Sequence, residues 1–394
     1  MNKYKILMIV DGGFLYPGGY QKRCEIVSKI LSDIAEIDTI VLQGNRNEIS
    51  RTGKLQIIKK RFPLPLLLFD SVLKKFNKKF FNLYDLIYAQ NLPVGYVVSF
   101  MRRKVNSNIP ILLDYHGAVP YEVLCSTYPP LSFLKFFYYN IIEKFTLNSV
   151  NALVFPSHKF KHIYNLRFGR KIPTFVLPML IHPESFNVIN EDHRQFLKKQ
   201  LFGDQRRIIF AYSGGMEKWQ CLEETIRFIE VIQKEIKNSG VLFLIPEQDV
   251  RKFSLSWTKR IKNLKILSLK PSDVPLYLSV ADFGLLFRKP DMINKVASPT
   301  KFVEYISLGV IPILTQNIGD ISNLVENEKT GIVIDYYKIF EKDKIQQVIE
   351  LCNDEVKRRE MKERVLFFYK KYFSYEEYKY HFIQFVLSIL SKDN

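Results

Sequence analysis

Cysteine is scarce in this 394-residue chain: Cys24, Cys125, Cys221 and Cys352 lie far apart, with neither the close pairs that hold zinc nor the density of a disulfide scaffold. Reduced thiols are the expectation. Long hydrophobic runs are missing too. No stretch approaches the roughly 18 apolar residues that span a bilayer as a helix. The apolar segment Tyr4–Val10 is short and runs into Asp11-Gly12-Gly13, as a first strand does, so a secretory signal is not expected. There is no zinc-finger spacing, no aromatic ribonucleoprotein motif and no long arginine run, which argues against sequence-specific nucleic-acid binding. No short-period repeat occurs either.

The composition that remains, 47% hydrophobic and 25% charged, belongs to a folded protein with room for two ordinary domains. Lysine and arginine (58) outnumber aspartate and glutamate (40), for a net charge of +18. Such a balance attracts polyanions, anionic head groups or phosphorylated substrates, although a lysine-rich composition alone accounts for part of it.

Short apolar runs alternate with helical patterns. The runs Lys5–Val10, Thr39–Leu42, Leu86–Ala89, Ile109–Asp114 and Ala152–Pro156 predict strands. After a gap follow Arg207–Tyr212, Val241–Ile245, Leu264–Leu267, Phe283–Phe287, Ile311–Leu314 and Gly331–Ile334. Helical patterns lie between them at Gln21–Ile34, Leu222–Lys237 and Pro299–Leu308. Strands apolar at every position, separated by helices, predict parallel sheets covered on both faces. The pattern breaks between Ile181 and Gln205, so two doubly wound domains joined near residue 190 are expected, with a ligand at the carboxyl ends of the strands in the cleft between them.

The strand-to-helix junctions carry the candidate chemistry. The Gly12-Gly13 and Gly18-Gly19 pairs allow a close backbone approach ahead of a helix N-terminus, as a plain turn also does. This is not GxGxxG with a placed acid, so a nicotinamide cofactor is not supported. Asp114-Tyr115-His116-Gly117 ends a strand with an imidazole able to exchange hydrogen bonds with a sugar hydroxyl or to order its own loop against Asp114. Ser213-Gly214-Gly215 followed by Lys218 suits a phosphate cradle, or a turn with a solvated lysine. Arg288-Lys289 follows another strand. In Ser298-Pro299-Thr300-Lys301-Phe302-Val303-Glu304-Tyr305, Ser298 suits a helix N-cap and Pro299 the first helical position. Lys301 stands where a glutamate would close a capping box, and its charge opposes the helix dipole. A surface Lys301–Glu304 pair explains the two residues but not the lysine's first-turn position; an anion held at this N-terminus does.

The segment SPTKFVEYISLGVIPILTQNIGDISNLVENEKTGIVI, Ser298–Ile334, resembles the donor-nucleotide segment of family-4-type retaining glycosyltransferases of bacterial polysaccharide biosynthesis, which have the GT-B fold. SGGMEKWQ at Ser213–Gln220, DYHG at Asp114–Gly117 and the Gly18-Gly19 loop extend the resemblance in order and spacing over nearly the whole chain. It implies two Rossmann-like domains facing each other across a cleft: an acceptor domain over 1–185, a nucleotide-sugar donor domain over 186–375, and a helix over 376–394 that crosses back. It implies that Glu304, the second glutamate of an E-x7-E motif, binds the ribose, and that Lys218 beside Gly214-Gly215 neutralises the diphosphate. His116 is then near the donor sugar, Gly19 beneath the phosphates, and Ser298, Pro299, Thr300 and Lys301 against the diphosphate or sugar. Two departures stand out: Val296 occupies the place of the first motif glutamate, and the arginine usual near the phosphate lysine is replaced by Gly215. Arg288, Lys289 or Lys301 is the expected substitute cation.

No Asp-x-Asp occurs, which argues against the metal-bridged diphosphate of the other major glycosyltransferase fold. The expectation is thus a cytoplasmic, metal-independent, retaining transferase with no cofactor, using a nucleotide-diphosphate sugar (UDP favoured over GDP) and a glycan or polyprenyl-diphosphate-linked acceptor. The basic, aromatic stretch Phe62–Lys79 predicts peripheral contact with anionic membrane, whereas Leu131–Phe145 reads as a helix packed on its own sheet. A nucleotide-sugar epimerase of the same shape and a non-catalytic polyanion binder are the alternatives.

Overall fold

The structure is a computed structural model that describes residues 4–16, 18–43, 55–59, 76–126, 128–169, 171–185, 190–251, 253 and 255–391. Residues 62–75 of the basic, aromatic stretch lie outside the described residues. The chain divides into two compact units, Met1–Pro178 with Glu376–Asn394, and Met179–Tyr375. The first unit thus ends at Pro178, where the sequence reading had extended it to 185.

The first unit holds a sheet of seven parallel strands: β1 (Tyr4–Asp11), β2 (Ala35–Gln43), β3 (Leu55–Lys59), β4 (Leu86–Gln90), β5 (Ile111–Asp114), β6 (Ala152–Phe155) and β7 (Thr174–Val176), in the order β3-β2-β1-β4-β5-β6-β7. Ile6 to Val10 are buried without interruption, as befits a strand covered on both faces. The helices that matter below are α1 (Gly19–Leu31), α2 (Leu92–Lys104), α3 (Val119–Ser126), α4 (Leu131–Leu147) and α5 (His158–Phe168).

The second unit holds six parallel strands, β8 (Ile208–Ser213), β9 (Ser239–Leu244), β10 (Leu264–Leu267), β11 (Phe283–Leu286), β12 (Ile311–Thr315) and β13 (Ile332–Ile334), ordered β10-β9-β8-β11-β12-β13. Its helices include α6 (Glu191–Phe202), α7 (Leu222–Glu235), α8 (Thr300–Ser307) and α9 (Glu355–Tyr372). Buried Asp282, just before β11, ties α6 and α9 to the sheet: its carboxylate accepts from Lys198 Nζ at 3.1 Å, Lys362 Nζ at 2.6 Å and the Ile209 N–H at 2.9 Å. Burial alone would raise its pKa; the two ammonium groups overcome that and hold it well below the usual carboxylate range. The final helix, α10 (Tyr375–Leu390), returns to the first unit, where Phe382 packs on Tyr88 and Phe175.

All eleven strands expected from the sequence are present, with ends shifted by up to four residues. Two were missed, β3 and β7. Their sequences are Leu-Gln-Ile-Ile-Lys, with polar residues at its second and last positions, and Thr-Phe-Val, of three residues beginning with a polar one, so neither is an apolar run throughout. In each sheet the strand order reverses once, between β1 and β4 and between β8 and β11. Ligands of open parallel sheets bind at the carboxyl ends flanking such a reversal.

Candidate functional site

At the reversal in the second unit, β8 and β11 pair only through Phe210–Phe283 and Ala211–Gly284. Beyond that the strands part, and the hydroxyl of Tyr305, from α8, fills the gap. It accepts from the Ser213 N–H at 3.1 Å and donates to the Leu285 carbonyl at 3.2 Å. The ring lies on Gly284 so closely that a Cβ there would sit 2.4 Å from it. One tyrosine therefore satisfies the backbone groups that the splayed strands leave open, and it locks α8 against the mouth of the sheet.

Two cations meet at this mouth. Arg288 follows β11, its N–H bonded to Thr315 Oγ1 at 2.8 Å, and its guanidinium is buried. Nη1 reaches only the Trp219 carbonyl, at 3.4 Å, and Nε has no hydrogen-bond partner. Lys301, in the first turn of α8, is buried too. Its Nζ donates to Gln220 Oε1 at 2.8 Å and sits 4.0 Å from the centre of the Tyr212 ring. Among the described residues no carboxylate forms an ion pair with either group. Burial and the charge of Arg288 push the Lys301 pKa well below its ordinary value, and burial lowers that of Arg288. Their hydrogen-bond partners are neutral, and the nearby carboxylates of Glu217 and Glu304 offset the desolvation of Lys301 only in part, so an anion between the two cations would balance them further.

The backbone leaves room for that anion. Gly214 has φ +124°, a conformation L side chains rarely adopt, and an added Cβ would lie 3.0 Å from Lys301 Nζ. Tyr212 donates to the Gly215 carbonyl at 2.5 Å and fixes the turn. Glu304 is buried one turn after Lys301. Pro299 and Thr300 open α8 at half-buried positions. Lys218 stands exposed in a short turn at Lys218–Gln220, and Lys289 is exposed, so of the three expected substitute cations the structure gathers Arg288 and Lys301.

Ser298 corrects the sequence reading. It is not the N-cap of α8: Pro299 holds that place, without a side-chain cap, and Ser298 Oγ accepts instead from the Met179 N–H at 2.8 Å. The Ser298 hydroxyl anchors the start of the second unit, and the first turn of α8 keeps uncapped N–H groups. Val296, where the family pattern has glutamate, is completely buried.

In the first unit, Gly18 is the N-cap of α1 and Gly19 its first residue. Gly18 is extended, and a Cβ there would meet nothing within 4 Å. His116 lies beyond β5 with Nε2 bonded to Gln90 Oε1, at the end of β4, and 3.5 Å from Asp114 Oδ1. Asp114 is fully buried and takes Nε and Nη2 of Arg23 and the Tyr88 hydroxyl. Burial would raise its pKa, but Arg23 and His116 hold it far below the ordinary range. His116 is therefore ordered through Nε2, and no hydrogen bond engages its Nδ1 among the described residues.

Neither the family models of known proteins nor the curated protein sequences contain a match to this chain. Solved structures do match it. Sucrose-phosphate synthase from Thermosynechococcus elongatus superposes at a TM-score of 0.73 with 14% identity, over 98% of this chain and all of the other. HepE from Anabaena, solved in complex with UDP-glucose, gives 0.72 and 15% over the same shares. WaaG, a glycosyltransferase involved in lipopolysaccharide biosynthesis, gives 0.68 and 12% over 95% of this chain and 98% of the other. The fold is GT-B. The chain resembles GT-B glycosyltransferases along its whole length, and its two sheets are the Rossmann-like layers of that fold.

Some residues of this GT-B site escaped the sequence reading. Gln220 ends the Ser213–Gln220 motif and holds Lys301, while Tyr212 and Tyr305, to which the sequence assigns no role, hold Lys301 and the strand ends. Their signal is positional: aromatic residues at the end of a strand and one turn into a helix. Glu122, on α3, was also passed over. Its carboxyl lies against Gly117, where a Cβ would be 2.2 Å from Oε1, and no hydrogen bond holds it among the described residues. Burial pushes its pKa up to about 7.

Proposed function

We propose that this chain is a metal-independent, retaining glycosyltransferase that moves a sugar from a nucleotide-diphosphate donor, UDP before GDP. The acceptor we propose is a glycan or a polyprenyl-diphosphate-linked glycan of bacterial surface polysaccharide, elongated at the cytoplasmic face of the membrane. The observation that carries the reading is the pair of buried cations, Arg288 and Lys301, paired with neutral groups at the carboxyl ends of β8 and β11 in a GT-B fold. The donor complexes of HepE with UDP and UDP-glucose support the donor class, and the lipopolysaccharide role of WaaG supports the acceptor class.

The chemistry follows from charge. As the bond between the anomeric carbon and the phosphate oxygen breaks, negative charge grows on the diphosphate. Arg288, Lys301, Lys218 and the open N–H groups of α8 stabilise it, most strongly because two of these cations are already desolvated. The acceptor hydroxyl attacks on the face the diphosphate leaves, and its proton passes to the departing phosphate oxygen, so configuration is kept without an enzymic nucleophile. We assign Glu304 to the ribose hydroxyls, Gly214 and Gly215 to the phosphates, Gly18 and Gly19 to the open approach in the first unit, and His116 to sugar hydroxyls.

Thermal-shift titration with UDP, GDP and ADP tests the reading. UDP is expected to stabilise the protein, and Glu304→Ala to weaken that effect about tenfold or more in concentration, the loss of one or two hydrogen bonds. No stabilisation by any nucleoside diphosphate, or equal affinity in Glu304→Ala, Lys218→Ala and Lys301→Ala, overturns it. An epimerase would consume the sugar nucleotide with no acceptor present.

A further inference from the structure

His116 is held by a residue that lies outside every motif of the sequence. Gln90 ends β4 in register with Asp114 at the end of β5, so these two and Tyr88, two residues earlier, line one face of the sheet. Gln90 is completely buried. Its Oε1 meets His116 Nε2, while its own Nε2 has no hydrogen-bond partner among the described residues. A glutamine that only filled the core would satisfy both ends of its amide or give way to an apolar side chain, because an unpaired buried amide is costly. The neighbouring carboxylate is already engaged. Asp114 accepts from Arg23 Nη2 and from the Tyr88 hydroxyl, each at 2.8 Å, and its Oδ1 lies 3.5 Å from His116 Nε2. The Tyr20 ring packs on the imidazole with centroids 5.2 Å apart, and 14% of the His116 side chain is left exposed.

We propose that Gln90 is a positioning residue that fixes the tautomer of His116: it places the proton of the neutral ring on Nε2 and leaves Nδ1 as a lone pair for a hydroxyl of the substrate. Asp114 decides the direction of the bond. With the Gln90 amide turned round, the Nε2 lone pair of His116 would face the Asp114 carboxylate at 3.5 Å and be repelled by it. A proton on Nε2 is attracted to both oxygens, so Nε2–H donates to Gln90 Oε1 and the amide nitrogen is the end left without a partner. A carboxylate in place of the amide would fix the same tautomer but add a second negative charge; the amide directs the proton without it. Nδ1, with no hydrogen bond among the described residues, is then a selective group. Its lone pair accepts from a hydroxyl and repels carboxylate, phosphate and ether oxygens, so it suits a sugar with a free hydroxyl at that place and disfavours a deoxy or acidic one. The substrate part of this inference rests on the glycosyltransferase reading above; the tautomer does not.

The test is long-range proton–nitrogen correlation spectroscopy on the full chain with isotope-labelled histidine, at about pH 8.5, where an ordinary imidazole is neutral. The signals of His116 are identified by their loss in His116→Ala. The wild type is expected to show a protonated Nε2 and an unprotonated Nδ1. Gln90→Leu is expected to raise the minor Nδ1–H tautomer about fivefold, the weight of one neutral hydrogen bond, and Gln90→Glu to restore the wild-type pattern. In thermal-shift titrations Gln90→Leu should leave the response to UDP unchanged and reduce the extra affinity for UDP-glucose over UDP about fivefold. A proton on Nδ1 in the wild type, which needs no variant to be seen, would overturn the proposal, and so would wild-type tautomer populations in Gln90→Leu. A changed tautomer with the UDP-glucose gain intact would refute the role of Nδ1 toward the sugar. No response to UDP in the wild type, with the tautomers as expected, would instead count against the function proposed above.

Discussion

Replacing Lys301 by methionine should separate stability from binding, because the two consequences have opposite signs. In the free protein the ammonium is desolvated, at a cost of several kcal/mol for a buried ion. Against that stand a hydrogen bond to Gln220 at 2.8 Å, worth about 1.5–3 kcal/mol as a charged contact, and the Tyr212 ring at 4.0 Å, worth about 2 kcal/mol when dry. The neighbouring guanidinium of Arg288 subtracts further. Methionine keeps the length of the side chain and removes both gains and costs, so folding stability should change by no more than about 1 kcal/mol, a Tm shift within about 4 °C. The bound state differs. In the bound state we propose, the ammonium faces a diphosphate, and its loss should weaken UDP affinity by about 1.5–3 kcal/mol, roughly 10- to 150-fold. Differential scanning calorimetry and isothermal titration at fixed ionic strength measure the two quantities. A Tm lowered by more than 10 °C with an unchanged Kd would show that Lys301 is a structural residue and that the anion site lies elsewhere.

The same charge logic predicts a pH effect on binding. Because the Lys301 pKa is lowered in the free protein and a diphosphate raises it, UDP binding should take up protons on the alkaline side and weaken as pH rises; titrations in two buffers of different ionisation enthalpy read this directly. Glu122 predicts a pH effect on stability. Its carboxyl, raised from 4.5 to about 7, binds a proton more tightly folded than unfolded, so the folded state loses about 3 kcal/mol as pH rises from about 4.5 through 7. Glu122→Gln should flatten the fall in Tm between pH 5 and 8, and an unaltered profile would contradict the burial argument. Gly214→Ala should strain the turn by about 1–3 kcal/mol and push on Lys301 Nζ, weakening UDP binding while wild-type secondary structure persists in circular dichroism.

The alternation of buried strands and helices was readable because a parallel sheet is apolar at every position, which few other arrangements demand. Lys301 was readable for a different reason: a cation in a first turn contradicts the helix dipole, and contradictions in sequence tend to mark sites. What stayed hidden depended on tertiary neighbours. Ser298 has the chemistry of an N-cap, and only the course of the chain at Met179 shows its hydroxyl engaged elsewhere. The gap that Tyr305 fills exists because β8 and β11 diverge, which no local pattern encodes. Helix α4, expected to pack on its own sheet, leaves Leu134, Phe137 and Ile141 exposed, and this was misread because an apolar stripe looks the same whether protein or solvent lies above it.

The path of the chain between its two units has a consequence for how the molecule is made. The second unit is one unbroken run, Met179–Tyr375, whereas the first is interrupted by it and resumes with α10. Phe382, fully buried, packs with Tyr88 and Phe175, and Phe385 with Phe175. During synthesis the first seven strands therefore emerge with an apolar flank uncovered, and nearly two hundred residues pass before the helix that closes it appears. The unit that is read first is the one finished last.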